Sequence, residues 1–261
     1  MIAEYVIGII GGIGTGKSTV LGILRDKYGA AIIEADAVGH DLMRQGEKLY
    51  QSEVALIGKE ILDASGEIDR KNLGAVVFAD KEKLKLLNDM AHPAIRDEIA
   101  RRLAVWRADE NWLSGSEGEE SGDSACEGKE SEGKVSEGKV SEAKVDEADV
   151  SEAKVSGAKE SEAECPMLRL AVLEAALPEE AGLPGFCDRI WTVTAPLETR
   201  IERLMTGRGY TREKCIGIIS NQRSDEEFEA MADALIDNGG EYVRTEHQLD
   251  VLVKELIPEC V

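Results

Sequence analysis

Short apolar runs alternate with longer amphipathic stretches over most of this 261-residue chain. Apolar runs of this length are typical of strands buried on both faces, and the periodic stretches are typical of helices. The pattern predicts strands at residues 6–10, 31–33, 168–173 and 189–193, with helices such as residues 196–205 between them. Because strands that alternate with helices form a mostly parallel sheet flanked by helices, we expect an α/β fold.

Residues 37–112 differ from the rest, because helical periodicity fills nearly all of that stretch, for example at residues 81–90 and 94–107. Pro93 suits the first turn of the second of these helices, where a missing N–H has little effect. We therefore expect a helical subdomain inserted after the second strand, with residues 1–36 and 165–261 forming the core.

A five-residue repeat rich in Ser, Glu and Lys runs from residue 130 to residue 164. Five residues advance about 500° around a helix, so the recurring valines form no single apolar stripe. We expect residues 113–164 to be a disordered, low-complexity insertion, either a tolerated loop expansion or an acidic docking tail. Because it enters the amino end of the third strand, it should lie opposite a ligand site at the carboxyl ends.

The formal net charge of −21 opposes binding to nucleic acid or anionic lipid, so neither is expected as a partner. No apolar run is long enough for a bilayer span and no signal peptide is evident, so we expect a cytoplasmic location. We also expect a monomer or a weak oligomer. The cysteines lack C-x-x-C spacing and are expected to be free thiols. They are Cys126, Cys165, Cys187, Cys215 and Cys260.

A glycine-rich motif directly follows the first predicted strand. It reads G-x-x-x-x-G-K-[ST] from Gly11 to Ser18 and opens a predicted helix at residues 17–28. In such a loop the backbone N–H groups surround phosphate oxygens, Lys17 reaches the β- and γ-phosphates, and the Ser18 hydroxyl binds Mg²⁺. A glycine-rich turn without a ligand is the alternative, but the order of strand, loop and helix favours phosphate binding.

Further segments resemble the dephospho-coenzyme A kinase family in their order and spacing, whereas the recognition motifs of GTPases are missing from the sequence. They are I-E-A-D ending at Asp36, the G-E-I-D-R segment ending at Arg70, H-P at His92, and the closing segments with Gln222 and Asn238. The resemblance implies a P-loop kinase fold with an acceptor-binding helical subdomain and a small lid at about residues 203–223. It also implies phosphoryl transfer from ATP, with Mg²⁺, to the ribose 3′-hydroxyl of dephospho-CoA.

The resemblance assigns roles to residues of the phosphate loop and beyond. ATP is expected to contact Gly11, Gly12, Gly14, Thr15, Gly16, Lys17, Ser18, Thr19 and Asn238. Asp36, at the end of the second strand, is the candidate base and acceptor contact, and Lys17 stabilises the transferred charge. Asp36 acting only as a helix cap is the alternative. For Asn238, the alternative is an ordinary turn residue.

Other assignments fall where the sequence departs from the family pattern. The lid pattern R-L-x-x-R-x-G has Gly207 where the second arginine is expected, so the catalytic lid arginine is either Arg203 or Arg208, the latter reaching the phosphates through flanking glycines. Both could instead be solvated charges. In the segment that the resemblance places along the acceptor pocket, this chain has Glu180 at the expected position, whereas the proline of the family pattern is shifted. Arg70, His92 and Glu180 are expected to bind the acceptor, although His92 could simply pack at a helix start.

Two alternatives to this function stay open from the sequence. Another nucleoside or small-metabolite kinase would share the architecture. A non-catalytic nucleotide-binding protein would explain the altered lid and acceptor wall as lost activity.

Overall fold

The computed structural model describes residues 2–109 and 167–256, which contain a five-stranded sheet. The strands are β1 Ile2–Ile10, β2 Ala31–Glu34, β3 Met167–Glu174, β4 Arg189–Thr194 and β5 Ala234–Asp237. Their order is β2-β3-β1-β4-β5, and every neighbouring pair is parallel. The predicted α/β class and the four predicted strands are confirmed. β5 was not predicted as a strand, since the sequence analysis interpreted this stretch only as a family motif.

Helices connect the strands and cover both faces of the sheet. They are α1 Lys17–Tyr28, α2 Ala35–Leu42, α3 Lys48–Ile57, α4 Arg70–Ala79, α5 Lys81–Ala108, α6 Leu183–Phe186, α7 Leu197–Arg208, α8 Arg212–Ser220, α9 Asp225–Glu229 and α10 Tyr242–Leu256, with a 3-10 turn at Lys59–Ile61. The predicted helices at residues 17–28 and 196–205 correspond to α1 and α7.

Alternation along the central strand divides the core into two layers, because successive strand residues point to opposite faces. Val6 and Ile10 of β1 pack in a cluster with α2 and α5. Ile7 and Ile9 pack on the other face, in a cluster with α1 and α10. β1 is thus buried on both sides, and this holds the loop that follows it at a fixed position.

The helices between β2 and β3 have an apolar cluster of their own. Ile57, Ile61, Leu73 and Val77 are buried there, and Leu84 and Leu87 of α5 pack against them. This cluster supports the expectation of a separate helical layer beside the sheet. The bounds of that subdomain, 37–112, stay a prediction.

The prediction of two helices around Pro93 is wrong. A single helix of 28 residues, α5, runs through this position, with Asp80 capping its first turn by accepting from the N–H groups of Glu82 and Lys83. Proline removes one backbone hydrogen bond from a helix interior. Here the packing of Ile99 and Leu103 in the core outweighs that loss, so the helix continues.

The segment 113–164 lies outside the described residues, so its predicted disorder stays a prediction. Its flanking elements, α5 and β3, are described, and β3 begins at the amino ends of the strands. Cys187 and Cys215 are free thiols, as predicted, and the other cysteines fall outside the described parts. Within the described residues, no helix combines the length and the apolar character that crossing a bilayer requires.

Candidate active site

The loop between β1 and α1 depends on glycines with positive φ. Gly14 has φ 80° and Gly16 has φ 88°, and Gly16 immediately precedes the first residue of α1. Only glycine adopts this region without steric cost. A Cβ on Gly16 would also collide with the side-chain amide of Asn238. The glycines therefore allow the loop to close tightly against its neighbours.

Side chains from α7 and the end of β5 hold the loop through its carbonyl groups. Arg203 donates to the Thr15 oxygen at 3.1 Å and to the Asn238 backbone oxygen at 2.8 Å. The Asn238 amide donates to the same Thr15 oxygen at 2.8 Å and accepts from the Thr245 hydroxyl at 2.9 Å. The N–H of a trans peptide points opposite to its carbonyl, so the Gly16 N–H points away from these side chains.

A second pair of side chains holds the start of the loop at Ile13. Arg200 is 3% exposed, donates to the Ile13 oxygen at 2.9 Å and pairs with Asp225 at 3.0 Å. The Ile13 N–H donates to the Gln222 side-chain oxygen at 2.8 Å. Sequence reasoning named Gln222 only as part of a motif and missed Arg200. Both ends of the lid region thus contact the phosphate loop.

Lys17 lies between the loop and the end of the neighbouring strand β3. Its ammonium donates to the Gly11 oxygen at 3.0 Å and pairs with the Glu174 carboxylate at 3.4 Å. Burial raises the pKa of Glu174 above its usual range, Lys17 opposes that rise, and the nearby charges of Asp36 and Glu34 add to it. Sequence reasoning missed Glu174, although it ends the apolar run predicted as the third strand.

A cavity of about 510 Å³ opens over the loop. Its lining residues are Gly12, Ile13, Gly14, Gly16, Lys17, Ser18, Thr19, Leu21, Glu34, Glu174, Arg203, Leu204, Gly207 and Arg208. Binding sites for small ligands fall in this range of volume. Thr15 is buried and donates its hydroxyl to the Gly12 oxygen, so its side chain shapes the loop without lining the cavity.

A smaller cavity at the neighbouring strand ends brings together three of the predicted acceptor residues. Asp36, His92 and Glu180 line it, with Ile95 and Leu177 on its apolar wall. Asp36 lies in the first turn of α2, whose N-cap residue is Glu34. Asp36 is therefore not the residue that caps this helix. His92 lies inside α5, so the interpretation as a helix-start residue is wrong.

Comparison with known protein families identifies the family to which this chain belongs. A family model described as dephospho-CoA kinase matches residues 5–114 and 154–243. The chain belongs to the dephospho-CoA kinase family. The predicted family and its class, the transferases, are thereby confirmed.

Individual relatives span nearly the whole chain. The dephospho-CoA kinase of Carboxydothermus hydrogenoformans is 29% identical over 256 residues, which are 98% of this chain and 96% of the relative. That of Lactobacillus johnsonii is 27% identical over 252 residues, covering 97% and 98%.

Solved structures share the fold. A Thermus thermophilus protein has a TM-score of 0.63 at 25% identity, covering 97% of this chain and 98% of its own. Dephospho-CoA kinase from Campylobacter jejuni has a TM-score of 0.50 at 19% identity with the same coverage, a likeness of fold alone.

The two lid arginines of this family member occupy different environments. Arg203 donates hydrogen bonds to backbone oxygens of the loop and of Asn238. Arg208 is exposed in the last turn of α7 and lines the larger cavity, and it makes no ion pair or hydrogen bond with the described residues. The sequence predicts flexible glycines on both sides of Arg208. In the structure, Gly207 lies within α7, and only Gly209, at φ 63°, ends the helix.

Arg70 is not brought to the cavity of Asp36. It is the first residue of α4 and lines a separate cavity of about 210 Å³ with His40, Arg44 and Glu67. The predicted acceptor residues are thus divided between two cavities, which lie along the same helix, α2.

Proposed function

We propose that this chain transfers the γ-phosphoryl group of ATP to the ribose 3′-hydroxyl of dephospho-CoA. The observation that carries the proposal is the position of Glu174: its carboxylate pairs with Lys17 of the phosphate loop at 3.4 Å, and the next residue, Ala175, lines the smaller cavity together with Asp36. A donor group and a candidate base thus share one electrostatic neighbourhood at the carboxyl ends of β1, β2 and β3. Ligands of open parallel sheets bind at this edge.

The donor half positions the triphosphate. The N–H groups of the glycine loop and the ammonium of Lys17 contact phosphate oxygens, and α1 directs its positive end at them. Arg208, exposed at the cavity wall, neutralises charge on the transferred group.

Oxygen donors suited to Mg²⁺ are present beside the loop. The Ser18 residue lines the larger cavity together with Glu174 and Glu34. Hydroxyl and carboxylate oxygens are the ligands that Mg²⁺ prefers, so Ser18 would hold the ion, with the carboxylates of Glu174 and Glu34 beside it. When bound, Mg²⁺ neutralises phosphate charge.

The acceptor half supplies the base. Asp36 takes the proton of the 3′-hydroxyl as that oxygen bonds to the γ-phosphorus and the bond to the β,γ-bridging oxygen breaks, releasing ADP. His92 and Glu180, which line the same cavity, contact the acceptor around this hydroxyl. ATP and dephospho-CoA are the only partners that the proposal requires, and we place the reaction in the cytoplasm.

The direct test is turnover of the purified protein with Mg-ATP and a panel of acceptors. We expect CoA from dephospho-CoA, identified by mass spectrometry as the 3′-phosphate, and no comparable transfer to AMP, shikimate or pantothenate. Preferred transfer to another acceptor would support a different small-metabolite kinase. ATP binding without transfer to any acceptor would support a non-catalytic nucleotide-binding protein.

A further inference from the structure

Three basic side chains gather beside α2, one to two turns beyond Asp36. Asp36 and His40 are four residues apart, so they lie on the same face of α2 about 6 Å apart along its axis. Arg44 follows at the same spacing, just after the helix end. Arg70 approaches the same place from the first turn of α4. We name His40, Arg44 and Arg70 the basic cluster.

The basic cluster lines a cavity rather than a flat surface. The cavity has a volume of about 210 Å³ and is completed by Met43, Glu67 and Ile68. The one carboxylate on its wall, Glu67, accepts from the backbone N–H of Gln45 at 3.1 Å. Arg44 makes one exposed contact with Asp41 at 3.2 Å. Within the described residues, Arg70 and His40 make no ion pair.

The placement of Arg70 is unfavourable for the helix that carries it. The N-terminal end of a helix has a partial positive charge, so acidic residues are preferred there and basic ones are not. The first turn of α4 contains no acidic residue and begins with Arg70 and Lys71. Local helix stability therefore does not explain Arg70. Such local conflicts are expected at functional sites.

We propose that the basic cluster binds the diphosphate of dephospho-CoA. This inference rests on the proposed function. In that acceptor a single ribose carries the reacting hydroxyl on C3′ and the diphosphate on C5′. With the 3′-hydroxyl at Asp36, the diphosphate lies within one ribose of it. The basic cluster is the neighbouring group of basic side chains beside α2, and the guanidinium groups of its two arginines can recognise phosphate oxygens with paired hydrogen bonds.

The same arrangement assigns specificity to the acceptor half. An acceptor without a 5′-phosphate or diphosphate gains nothing from the basic cluster, whereas it still meets Asp36 and His92. In a chain with a net charge of −21, the cluster is also what counters general repulsion of a polyanionic acceptor.

The variants Arg70→Gln and Arg44→Gln test this inference through steady-state kinetics. For Arg70→Gln we expect KM for dephospho-CoA to rise about 10- to 100-fold, because a charge-assisted contact is lost, and for Arg44→Gln about 10-fold. KM for ATP should stay unchanged and kcat should change less than about threefold. Arg101→Gln, an exposed arginine on α5 paired with Glu98, is the matched control.

Binding measurements separate recognition of the diphosphate from a structural role. Adenosine carries the ribose without the diphosphate, so its inhibition constant should be equal in Arg70→Gln and the unaltered protein. Arg70→Lys should restore part of the affinity for dephospho-CoA. An unchanged KM in both Gln variants overturns the inference, as does equal weakening of adenosine and dephospho-CoA.

The outcomes also separate this inference from the proposed function. If the unaltered protein fails to phosphorylate dephospho-CoA, the proposed function is wrong. Calorimetric titration of dephospho-CoA into the unaltered protein and Arg70→Gln then decides the inference by itself. Weaker binding in the variant supports it, and equal or absent binding in both contradicts it. Far-ultraviolet circular dichroism of each variant verifies the fold.

Discussion

The two halves of the active site are held together in different ways. On the donor side, the loop at Ile13 and Thr15 is fixed by Arg200, Arg203 and Asn238, all bonded to backbone atoms at 3.1 Å or less. On the acceptor side, Asp36 is exposed, and within the described residues its carboxylate makes no hydrogen bond. The side chains of the donor half are thus already held in position without a ligand, whereas the charged side chains of the acceptor half are left to pair with the ligand.

This difference suits the ligands that we propose for the two halves. A triphosphate needs many N–H groups at fixed positions, and preorganised donors contribute most to phosphoryl transfer. An acceptor must reach the base and then leave as product, so exposed groups on helix surfaces suffice.

The largest expected effect is that of Asp36→Asn, which removes the proposed base and leaves the donor half intact. We expect kcat to fall by about 10³-fold, within the range for general base catalysis, and the affinity for ATP to stay unchanged. Kinetics with dephospho-CoA and calorimetry with ATP measure the two quantities. Asp97→Asn, an exposed carboxylate on α5, is the control. Unchanged turnover would remove Asp36 from the mechanism.

Arg208→Gln comes next, because it tests which arginine acts on the phosphates. We expect kcat to fall about 100-fold without a change in thermal stability, since Arg208 contacts none of the described residues through ion pairs. Arg203→Gln should instead lower the melting temperature and weaken ATP binding, because it frees the Thr15 and Asn238 oxygens. The reverse pattern would make Arg203 the catalytic arginine.

Gly16→Ala probes the preorganised loop with an internal control on the same helix. The left-handed backbone and the collision with Asn238 should weaken ATP binding about 10-fold or more, since αL costs about 1–2 kcal/mol for other residues. Gly22→Ala lies within α1 with no atom within 4 Å of the added Cβ. It should raise stability by about 0.5–1 kcal/mol and leave ATP binding unaltered. Similar ATP affinity in both variants would refute the argument.

The smallest effect concerns stability in the acceptor half. Glu53 on α3 is 1% exposed, and burial raises its pKa to about 7. The folded protein therefore holds this proton more tightly than the unfolded chain, so stability falls as pH rises from about 4.5 to about 7. Glu53→Gln should raise the free energy of unfolding by about 2 kcal/mol at pH 8 and by little at pH 4.5.

Denaturant titrations at the two pH values measure this difference. Glu202→Gln, on the exposed side of α7, should show none of it. An equal effect of Glu53→Gln at both pH values would contradict the role of ionisation.

The sequence predicted the parts of this protein that are local. Gly11 to Ser18 and α1 are adjacent in the sequence, so the motif and the hydrophobic periodicity were sufficient to predict them. The continuous helix at Pro93 was not predictable in that way, because core packing by Ile99 and Leu103 decides it. β5 was not predicted because it has only four residues, of which only Ile236 is buried.

The same limit explains the functional residues that were missed. Arg200 and Glu174 contact the loop from 187 and more than 150 positions away along the chain, and nothing in their local sequence indicates the contact. Asp36, His92 and Glu180 were identified through the family resemblance, and the structure places them around one cavity. Their roles stay predictions until the variants are measured.

The contacts of Arg200 and Arg203 have a mechanical consequence for the predicted lid at about residues 203–223. These residues lie one turn apart on α7 and both bond to the phosphate loop, so this helix cannot pivot without lifting the loop. α7 ends at Gly209, which has a left-handed backbone conformation. Beyond α8, Gln222 ties the chain back to Ile13. The segment between Gly209 and Gln222 is thus attached to the phosphate loop through Arg203 on the preceding helix and through Gln222 at its end, so we expect any movement of this segment to change the shape of the loop.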